Sequence, residues 1–285
     1  MIPAISRRFA LLTAVLATAF AAAVLPTDVA DAQERNLVIF GDSIIANPDL
    51  GQYLSGGLLT NLSTGQSSHG SSGNPATGCP QGDNWGRAAA GHLGLPAWDY
   101  SCSGTVSMSQ GPQFSTQVDT AIATGGLTSA TERVIISTGF NDTYNNTHLS
   151  EGELTQAFVT AMSPQVEKIK QAAPNARIQI VGYPSVTAGD YICLFHVGPN
   201  IHDRTYAPEI NNWQWRAQDM QQALARATNV EFLDLKPATA ENHMCASDDK
   251  RMWAGLIDFY AGPGNLPIHV NDRGHAHVAH VIATS

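Results

Sequence analysis

A serine, a glycine, an asparagine and a histidine stand in four separate motifs of this chain of 285 residues. Ser43 closes the motif Gly-Asp-Ser, Gly104 follows Cys-Ser, Asn141 follows Gly-Phe, and His269 precedes Val-Asn-Asp. The serine hydroxyl is a candidate nucleophile, and a histidine suits a general base near neutral pH. A glycine can present its backbone N–H at close range, and an asparagine amide can donate a hydrogen bond. Gly-Asp-Ser alone is a weak signal, because Asp and Ser also cap helices.

Short apolar runs rich in β-branched residues predict the strands that position these motifs. The strands are expected at 36–41, 97–101, 133–139, 177–183 and 230–235. They alternate with helical patterns, which is typical of an α/β fold with a parallel sheet. Sites in such sheets form at the carboxyl ends of strands. Ser43, Gly104 and Asn141 follow the first three strands, so we expect them at one edge of the sheet.

Two amphipathic patterns and a terminal segment predict the main helices. Ser150 and Glu153 form a capping box that opens a helix running to about residue 173. Apolar residues recur at steps of three and four over 210–227, which predicts a second long helix. A last helix is expected to begin near Asp272 and to run to the C-terminus.

The first residues of the chain have the pattern of an export signal. Arginines at positions 7 and 8 precede an uncharged, alanine-rich stretch, and Ala-Asp-Ala at 30–32 has the form of a signal-peptidase site. A membrane anchor is the alternative, but a spanning helix needs about 20 strongly apolar residues. We predict a signal peptide over 1–32, cleaved near Ala32, and one secreted domain over 33–285. The export route stays open between the Sec and twin-arginine pathways.

The charge balance is acidic. Lys and Arg number 15 against 24 Asp and Glu, which gives a formal net charge of −9 at pH 7. Contacts with phosphates need clusters of Lys and Arg, so we expect no nucleic-acid partner.

The chain contains four cysteines. In an exported protein this number suggests two disulfides, for which three pairings are possible. Proximity in sequence favours Cys79–Cys102 and Cys193–Cys245. A zinc site is disfavoured, because no two cysteines have the close spacing of a zinc knuckle.

The four blocks around Ser43, Gly104, Asn141 and His269 resemble those of the GDSL family, also called SGNH hydrolases, in kind and order. Any one block is unspecific, but four in order span nearly the whole predicted mature chain. The sequence around the cysteines is similar to that of the secreted actinobacterial branch. The resemblance implies a flavodoxin-like, three-layer α/β/α sandwich around a central, mainly parallel five-stranded sheet.

The resemblance also implies a reaction, the hydrolysis of carboxylic esters through an acyl-enzyme. Ser43 would attack the ester carbonyl while His269 takes its proton, and the backbone N–H groups of Ser43 and Gly104 with the Asn141 side chain would form the oxyanion hole. No cofactor and no metal would be needed. The expected substrates are small-molecule or lipid esters, handled by a monomer that can contact lipid surfaces. A carbohydrate or glycolipid esterase or acyltransferase is the first alternative, and a non-catalytic surface protein the second.

One position departs from the family pattern. An aspartate usually stands three residues before the histidine and orients the imidazole, but Leu266 occupies that position here. We expect the backbone carbonyl of Leu266 to take its place, with Asp258 as the alternative. A carbonyl stabilises an imidazolium less than a carboxylate does, from which we expect activity to lean toward alkaline pH.

Further histidines and an aspartate lie near these blocks. His275, His277 and His280 could suggest a metal, but no nearby cysteine or carboxylate completes a ligand set. We therefore expect a packing role for His275, as is typical of the family, and a turn or capping role for Asp142.

Overall fold

Strand β1 (Asn36–Gly41) lies inside the fold, with all six of its residues buried. The computed structural model describes residues 34–51, 76–262 and 266–285, so the predicted signal peptide lies outside the described residues. Strand β1 belongs to a sheet of five parallel strands, and the other four are β2 (Ala97–Asp99), β3 (Thr131–Ser137), β4 (Arg177–Val181) and β9 (Glu231–Leu233). Their order in the sheet is β2-β1-β3-β4-β9. This confirms the predicted sheet, and every predicted strand boundary is correct to within two residues.

Helices connect and cover these strands. In the described chain they are α1 (Ser43–Ala46), α2 (Trp85–Leu93), α3 (Phe114–Ala123), α4 (Phe140–Asn145), α5 (Glu151–Ala172), α6 (Pro208–Thr228), α7 (Lys236–Thr239) and α8 (Asp272–Thr284). The predicted capping box opens α5, where the Ser150 hydroxyl accepts from the Glu153 backbone and the Glu153 carboxylate accepts from the Ser150 backbone. The second long helix begins two residues before the expected start, because Pro208 occupies its first turn. The last helix begins at Asp272, as predicted.

The two faces of the sheet are covered by different helices. Successive side chains of a strand point to opposite faces, so Ile39 and Phe40 belong to different buried clusters. Ile39 shares its cluster with Trp85 of α2 and Val278 of α8. Phe40 shares the other cluster with Phe158 of α5. The fold is therefore the expected three-layer α/β/α sandwich.

In the described part of the chain, five further short strands lie outside the main sheet, and the sequence patterns do not predict them. They are β5 (Tyr191–Ile192), β6 (Phe195–Gly198), β7 (Ile201–His202), β8 (Thr205–Tyr206) and β10 (Ile257–Asp258). Strands β10, β6 and β7 form one small sheet, and β5 pairs with β8. Strands of two to four residues are too short to show the alternation of apolar and polar residues from which a strand is predicted.

The four cysteines form the two pairs that proximity favours. Cys79 bonds to Cys102 with an S–S distance of 1.97 Å, and Cys193 bonds to Cys245 at 2.11 Å. The first bond fixes the loop that follows β2, and the second joins the β5–β6 link to the segment after α7.

No helix in the described ranges is long and apolar enough to cross a membrane.

Candidate active site

Ser43 stands where strand β1 turns into helix α1. Asp42 caps that helix, and its carboxylate accepts from the backbone N–H of Ile44 at 3.0 Å. The preceding Gly41 has no room for a side chain, because a Cβ there would lie 2.3 Å from the carbonyl oxygen of Ser137. This tight turn places Ser43 just beyond the carboxyl end of an inner strand.

The imidazole of His269 contacts the Ser43 hydroxyl. Its Nε2 lies 2.8 Å from Ser43 Oγ, and its Nδ1 lies 2.9 Å from the carbonyl oxygen of Pro267. A carbonyl oxygen can only accept, so this partner assigns the proton to Nδ1 and leaves Nε2 to accept from the serine. The pair can therefore remove the hydroxyl proton as the serine oxygen attacks an electrophile.

The carbonyl that orients His269 is not the expected one. We predicted Leu266, but its carbonyl accepts from the backbone N–H of His269 at 3.3 Å. Ile268, within the same turn, has a φ of 61°, in the left-handed region. The Leu266 carbonyl closes this turn within the backbone, and the ring bonds to the next carbonyl, that of Pro267. The prediction of Leu266 is therefore wrong, although a backbone carbonyl does fill the role.

The alternative carboxylate, Asp258, belongs to a different contact. Both of its oxygens accept from the fully buried guanidinium of Arg251, and the backbone N–H of Gly255 donates to it at 2.8 Å. This pair holds the loop whose Ala254 N–H bonds to the His269 carbonyl at 2.8 Å. Among the described residues, no carboxylate bonds to the His269 ring.

Burial sets the direction of the His269 pKa. Loss of solvent lowers the pKa of His269 below its usual value, and the bond to Pro267 opposes this shift only in part. The neutral imidazole is the form that accepts a proton, so a lowered pKa keeps the base available at more acidic pH. The direction of this pKa shift does not support the expected alkaline preference. A weakly stabilised imidazolium extends the neutral, proton-accepting form of the ring to lower pH.

The Gly104 loop is held against the end of β1. Gly104 has a φ of 77°, and the Cys102 N–H donates to the Gly41 carbonyl at 3.0 Å. The buried Gln117 amide donates to the Gly41 carbonyl and to the Thr105 hydroxyl, each at 2.8 Å. The Gly41 N–H donates back to Gln117 at 2.9 Å. One buried side chain thus joins the segment before Ser43 to the segment after Gly104.

Two partners fix the orientation of the Asn141 amide. Its Nδ2 donates to the Thr105 carbonyl at 2.9 Å, and its Oδ1 accepts from the Tyr144 hydroxyl at 2.6 Å. The Thr105 carbonyl can only accept, so a reversed amide would lose this bond and place its oxygen against the carbonyl oxygen. The second N–H of the amide has no partner in the described part of the chain and can donate to a ligand.

A buried tyrosine connects the turns that carry Ser43 and Asn141. The Tyr183 hydroxyl donates to Asp42 and accepts from the Phe140 backbone N–H at 3.2 Å. Burial raises the pKa of Asp42 to about 7, although the bond from Tyr183 opposes the rise. The Asp42 carboxylate that caps α1 is therefore also connected, through the Tyr183 hydroxyl, to the turn that precedes Asn141.

Asp142 lies near the site and binds the backbone of a neighbouring loop, which extends the turn role expected for it. Its fully buried carboxylate accepts from the backbone N–H groups of Ser107, at 2.9 Å, and Met108, at 3.1 Å. Burial raises the pKa of Asp142, and these backbone bonds oppose the rise. The carboxylate holds the loop after Gly104 against helix α4.

Gln117, Tyr144 and Tyr183 have roles that the sequence analysis missed. Each is a single polar residue with no motif around it. Tyr183 carried the best available signal, because a tyrosine that ends a predicted buried strand must find a partner for its hydroxyl.

His275 packs inside the protein. Its Nδ1 accepts from the Trp85 N–H at the start of helix α2, at 3.2 Å, and burial lowers its pKa to about 3. The ring is therefore neutral and fixes α2 against α8. The described residues contain no group of three or more His, Cys, Asp or Glu placed to hold a metal ion.

Comparison with known proteins gives a family and a fold. The model of the GDSL-like lipase/acylhydrolase family matches residues 39–277. No curated protein sequence matches the chain.

The chain is also similar to several solved structures. Phospholipase A1 from Streptomyces albidoflavus NA297 is 13% identical, with a TM-score of 0.52 over 88% of this chain and 98% of that one. An extracellular lipase from Streptomyces rimosus is 17% identical, with a TM-score of 0.48 over 86% and 98%. A carbohydrate acetylesterase from Sinorhizobium meliloti is 18% identical, with a TM-score of 0.48 over 88% and 97%. At this identity the likeness to the phospholipase shows the fold alone.

The direction of the His269 pKa can be measured directly. In an NMR titration of the folded protein, we expect the His269 ring to titrate below about 6.5, the ordinary histidine value, because burial disfavours the imidazolium. The same ring in the protein unfolded by urea provides the reference. Titration of the folded-state ring at or above the reference value would contradict the assignment of burial as the dominant cause.

Proposed function

Since the chain belongs to the GDSL-like lipase/acylhydrolase family and is a carboxylic ester hydrolase, we propose that Ser43 is its nucleophile and His269 its general base. The observation that carries this proposal is the contact of 2.8 Å between His269 Nε2 and Ser43 Oγ. The bond between Nδ1 and Pro267 supports it further, since it holds the tautomer that such a base requires.

The reaction proceeds through an acyl-enzyme. The Ser43 oxygen forms a bond to the ester carbonyl carbon while its proton moves to His269 Nε2. The tetrahedral intermediate then expels the alcohol, which receives that proton, and water repeats the sequence to release the acid. Attack by a sugar hydroxyl instead of water would give acyl transfer, which is the competing outcome.

Three donors stabilise the oxyanion in this proposal. They are the backbone N–H groups of Ser43 and Gly104 and the side-chain amide of Asn141. The geometry supports Asn141 in this role, because one of its N–H groups is fixed by Thr105 and the other is left for a ligand. Loss of one such donor typically lowers the rate by about 10²–10³-fold.

We propose that the substrates are lipid or short-chain acyl esters and that the protein binds some of them at a lipid surface. Exposed apolar side chains beside His269 support this. The Ile268 N–H bonds to the Gly255 carbonyl at 3.2 Å, which brings the loop with Leu256 and Phe259 next to the site. Phe259 is 74% exposed, and exposed apolar patches of this kind mark interaction surfaces.

We further propose that the protein is exported and acts as a monomer outside the cell. The arginine pair and the Ala-x-Ala site support a signal peptide cleaved near Ala32. The two disulfides support an oxidising compartment.

A p-nitrophenyl ester series from acetate to palmitate tests the nucleophile. We expect Ser43→Ala to lower kcat by about 10³-fold or more on every ester the wild type cleaves, because no other hydroxyl contacts His269 among the described residues. Ser163→Ala, on helix α5, is the control and should match the wild type. Undiminished cleavage by Ser43→Ala would contradict the mechanism, and no cleavage by the wild type would contradict the substrate class.

Tyr144→Phe tests how the oxyanion donor is positioned. The change removes the hydroxyl that bonds to Asn141 Oδ1 and keeps the ring. One hydrogen bond is worth about 0.5–1.5 kcal/mol, so kcat should fall by about two- to tenfold with KM unchanged. Tyr206→Phe, which removes an exposed hydroxyl elsewhere, should change neither constant. A rise in KM at constant kcat would assign Tyr144 to substrate binding instead.

Export can be tested by mass spectrometry of the protein collected from the medium of a secreting bacterial host. The expected non-reduced protein begins at or near Gln33 and contains no free thiol. Recovery of a cell-associated chain that still begins at Met1 would contradict cleavage.

A further inference from the structure

A surface cavity lies on the same edge of the sheet as Asn141. Its volume is about 360 Å³, and its walls are Thr147, Pro208, Glu209, Asn212, Trp213 and Arg216. Helix α6 begins at Pro208 and leads into β9, which is parallel to the other strands. The first turns of α6 must therefore lie at the carboxyl ends of the strands, where Asn141 also stands.

One aromatic side chain connects this cavity with the oxyanion donor. The Tyr144 hydroxyl bonds to the Asn141 amide at 2.6 Å, and the Tyr144 ring packs against the ring of Trp213 with 5.7 Å between centroids. Trp213 is itself a wall of the cavity. A group that packs on Trp213 is therefore separated from Asn141 by the side chains of Trp213 and Tyr144.

The walls combine a large aromatic ring with polar side chains. Four of the six lining residues are polar or charged. In the described ranges, the side chains of Thr147, Glu209 and Asn212 make no hydrogen bond or ion pair with the protein. Arg216 donates one weak bond, to the Leu149 carbonyl at 3.3 Å, and its Nε is buried without a partner. The side chains of Thr147, Glu209 and Asn212 and the remaining terminal N–H groups of Arg216 are therefore available to a ligand, whereas the buried Nε of Arg216 is not.

This combination matches the chemistry of a sugar. A sugar ring has apolar C–H faces, which pack on an aromatic ring, and a rim of hydroxyl groups, which pair with carboxylate, amide and guanidinium groups. The volume is also in the range of about 300–1,000 Å³ that is usual for small-molecule sites. Most of the lining surface is apolar, so an acyl chain is the competing occupant. Such a chain would cover Glu209 and Arg216 without replacing their hydrogen bonds to water, which favours the sugar.

We propose that the Trp213 cavity binds the sugar unit of an acylated carbohydrate whose ester group is presented to Ser43. The inference rests on the proposed function, and it adds the chemical class of one part of the substrate. Trp213 supplies the stacking surface, and Glu209, Asn212 and Arg216 bind the hydroxyl groups.

The kinetic test compares two tryptophans on helix α6. Trp213 lines the cavity, whereas Trp215 is 49% exposed and lies outside its walls. The substrates are O-acetylated xylotriose, p-nitrophenyl acetate and p-nitrophenyl decanoate. We expect Trp213→Ala to lower kcat/KM for the sugar ester, relative to p-nitrophenyl acetate, by about tenfold. Trp215→Ala should leave this ratio unchanged.

Two results of this comparison would overturn the proposal. One is an unchanged ratio for Trp213→Ala. The other is a selective loss on p-nitrophenyl decanoate, which would make the cavity an acyl-chain site. Trp213→Phe keeps an aromatic surface and should show a smaller loss in the ratio than Trp213→Ala, so the result does not depend on one variant that folds poorly.

A binding measurement separates this proposal from the esterase mechanism. Saturation-transfer NMR with unacetylated xylotriose on Ser43→Ala should show contact with the sugar, and the signal should be lost in the double variant Ser43→Ala/Trp213→Ala. Sugar binding without cleavage of any ester by the wild type would defeat the proposed function but not the site. Cleavage of simple esters by the wild type without sugar binding would defeat the site alone.

Discussion

The end of strand β1 has no space for a side chain, and the rest of the site depends on this. A Cβ on Gly41 would meet the Ser137 carbonyl at 2.3 Å, so only a bare backbone lets β1 and β3 approach so closely beside Ser43. The Gly41 carbonyl also accepts hydrogen bonds from the Cys102 N–H and the Gln117 amide. Residues before Ser43, around Gly104 and before Asn141 are thus assembled around one short piece of main chain.

Buried carboxylates hold these loops without acting on His269. Asp42 caps α1 and accepts from Tyr183, Asp142 binds the loop after Gly104, and Asp258 binds Arg251. Each is stabilised by backbone N–H groups, hydroxyls or a guanidinium, as buried carboxylates must be. Among the residues that the structure describes, His269 Nδ1 bonds only to a backbone carbonyl. Acidic groups therefore fix the loops around the site, while burial favours the neutral form of the His269 ring beside Ser43.

The sequence predicted the parts of the structure that follow from local patterns. Buried strands, the capping box at Ser150 and the pairing of four cysteines all leave periodic or positional signals. The carbonyl that orients His269 does not, because the choice between Leu266 and Pro267 depends on the left-handed backbone of Ile268. Tyr144 and Gln117 were missed for a similar reason. The contacts of Gln117 join segments that are far apart in the sequence, and the bond from Tyr144 to Asn141 lies within one short helix with no repeating pattern.

Tyr144 belongs to two parts of the molecule at once, since its hydroxyl holds Asn141 and its ring supports Trp213. With the roles proposed for Asn141 and the Trp213 cavity, substrate range and turnover are not independent traits in an evolving or engineered enzyme. Substitutions that reshape the cavity at Glu209 or Asn212 leave the phenol in place and can broaden the range of substrates. Those that displace the phenol alter the range and slow the chemistry together. Selection for a new substrate should therefore retain this tyrosine and vary the residues beyond it.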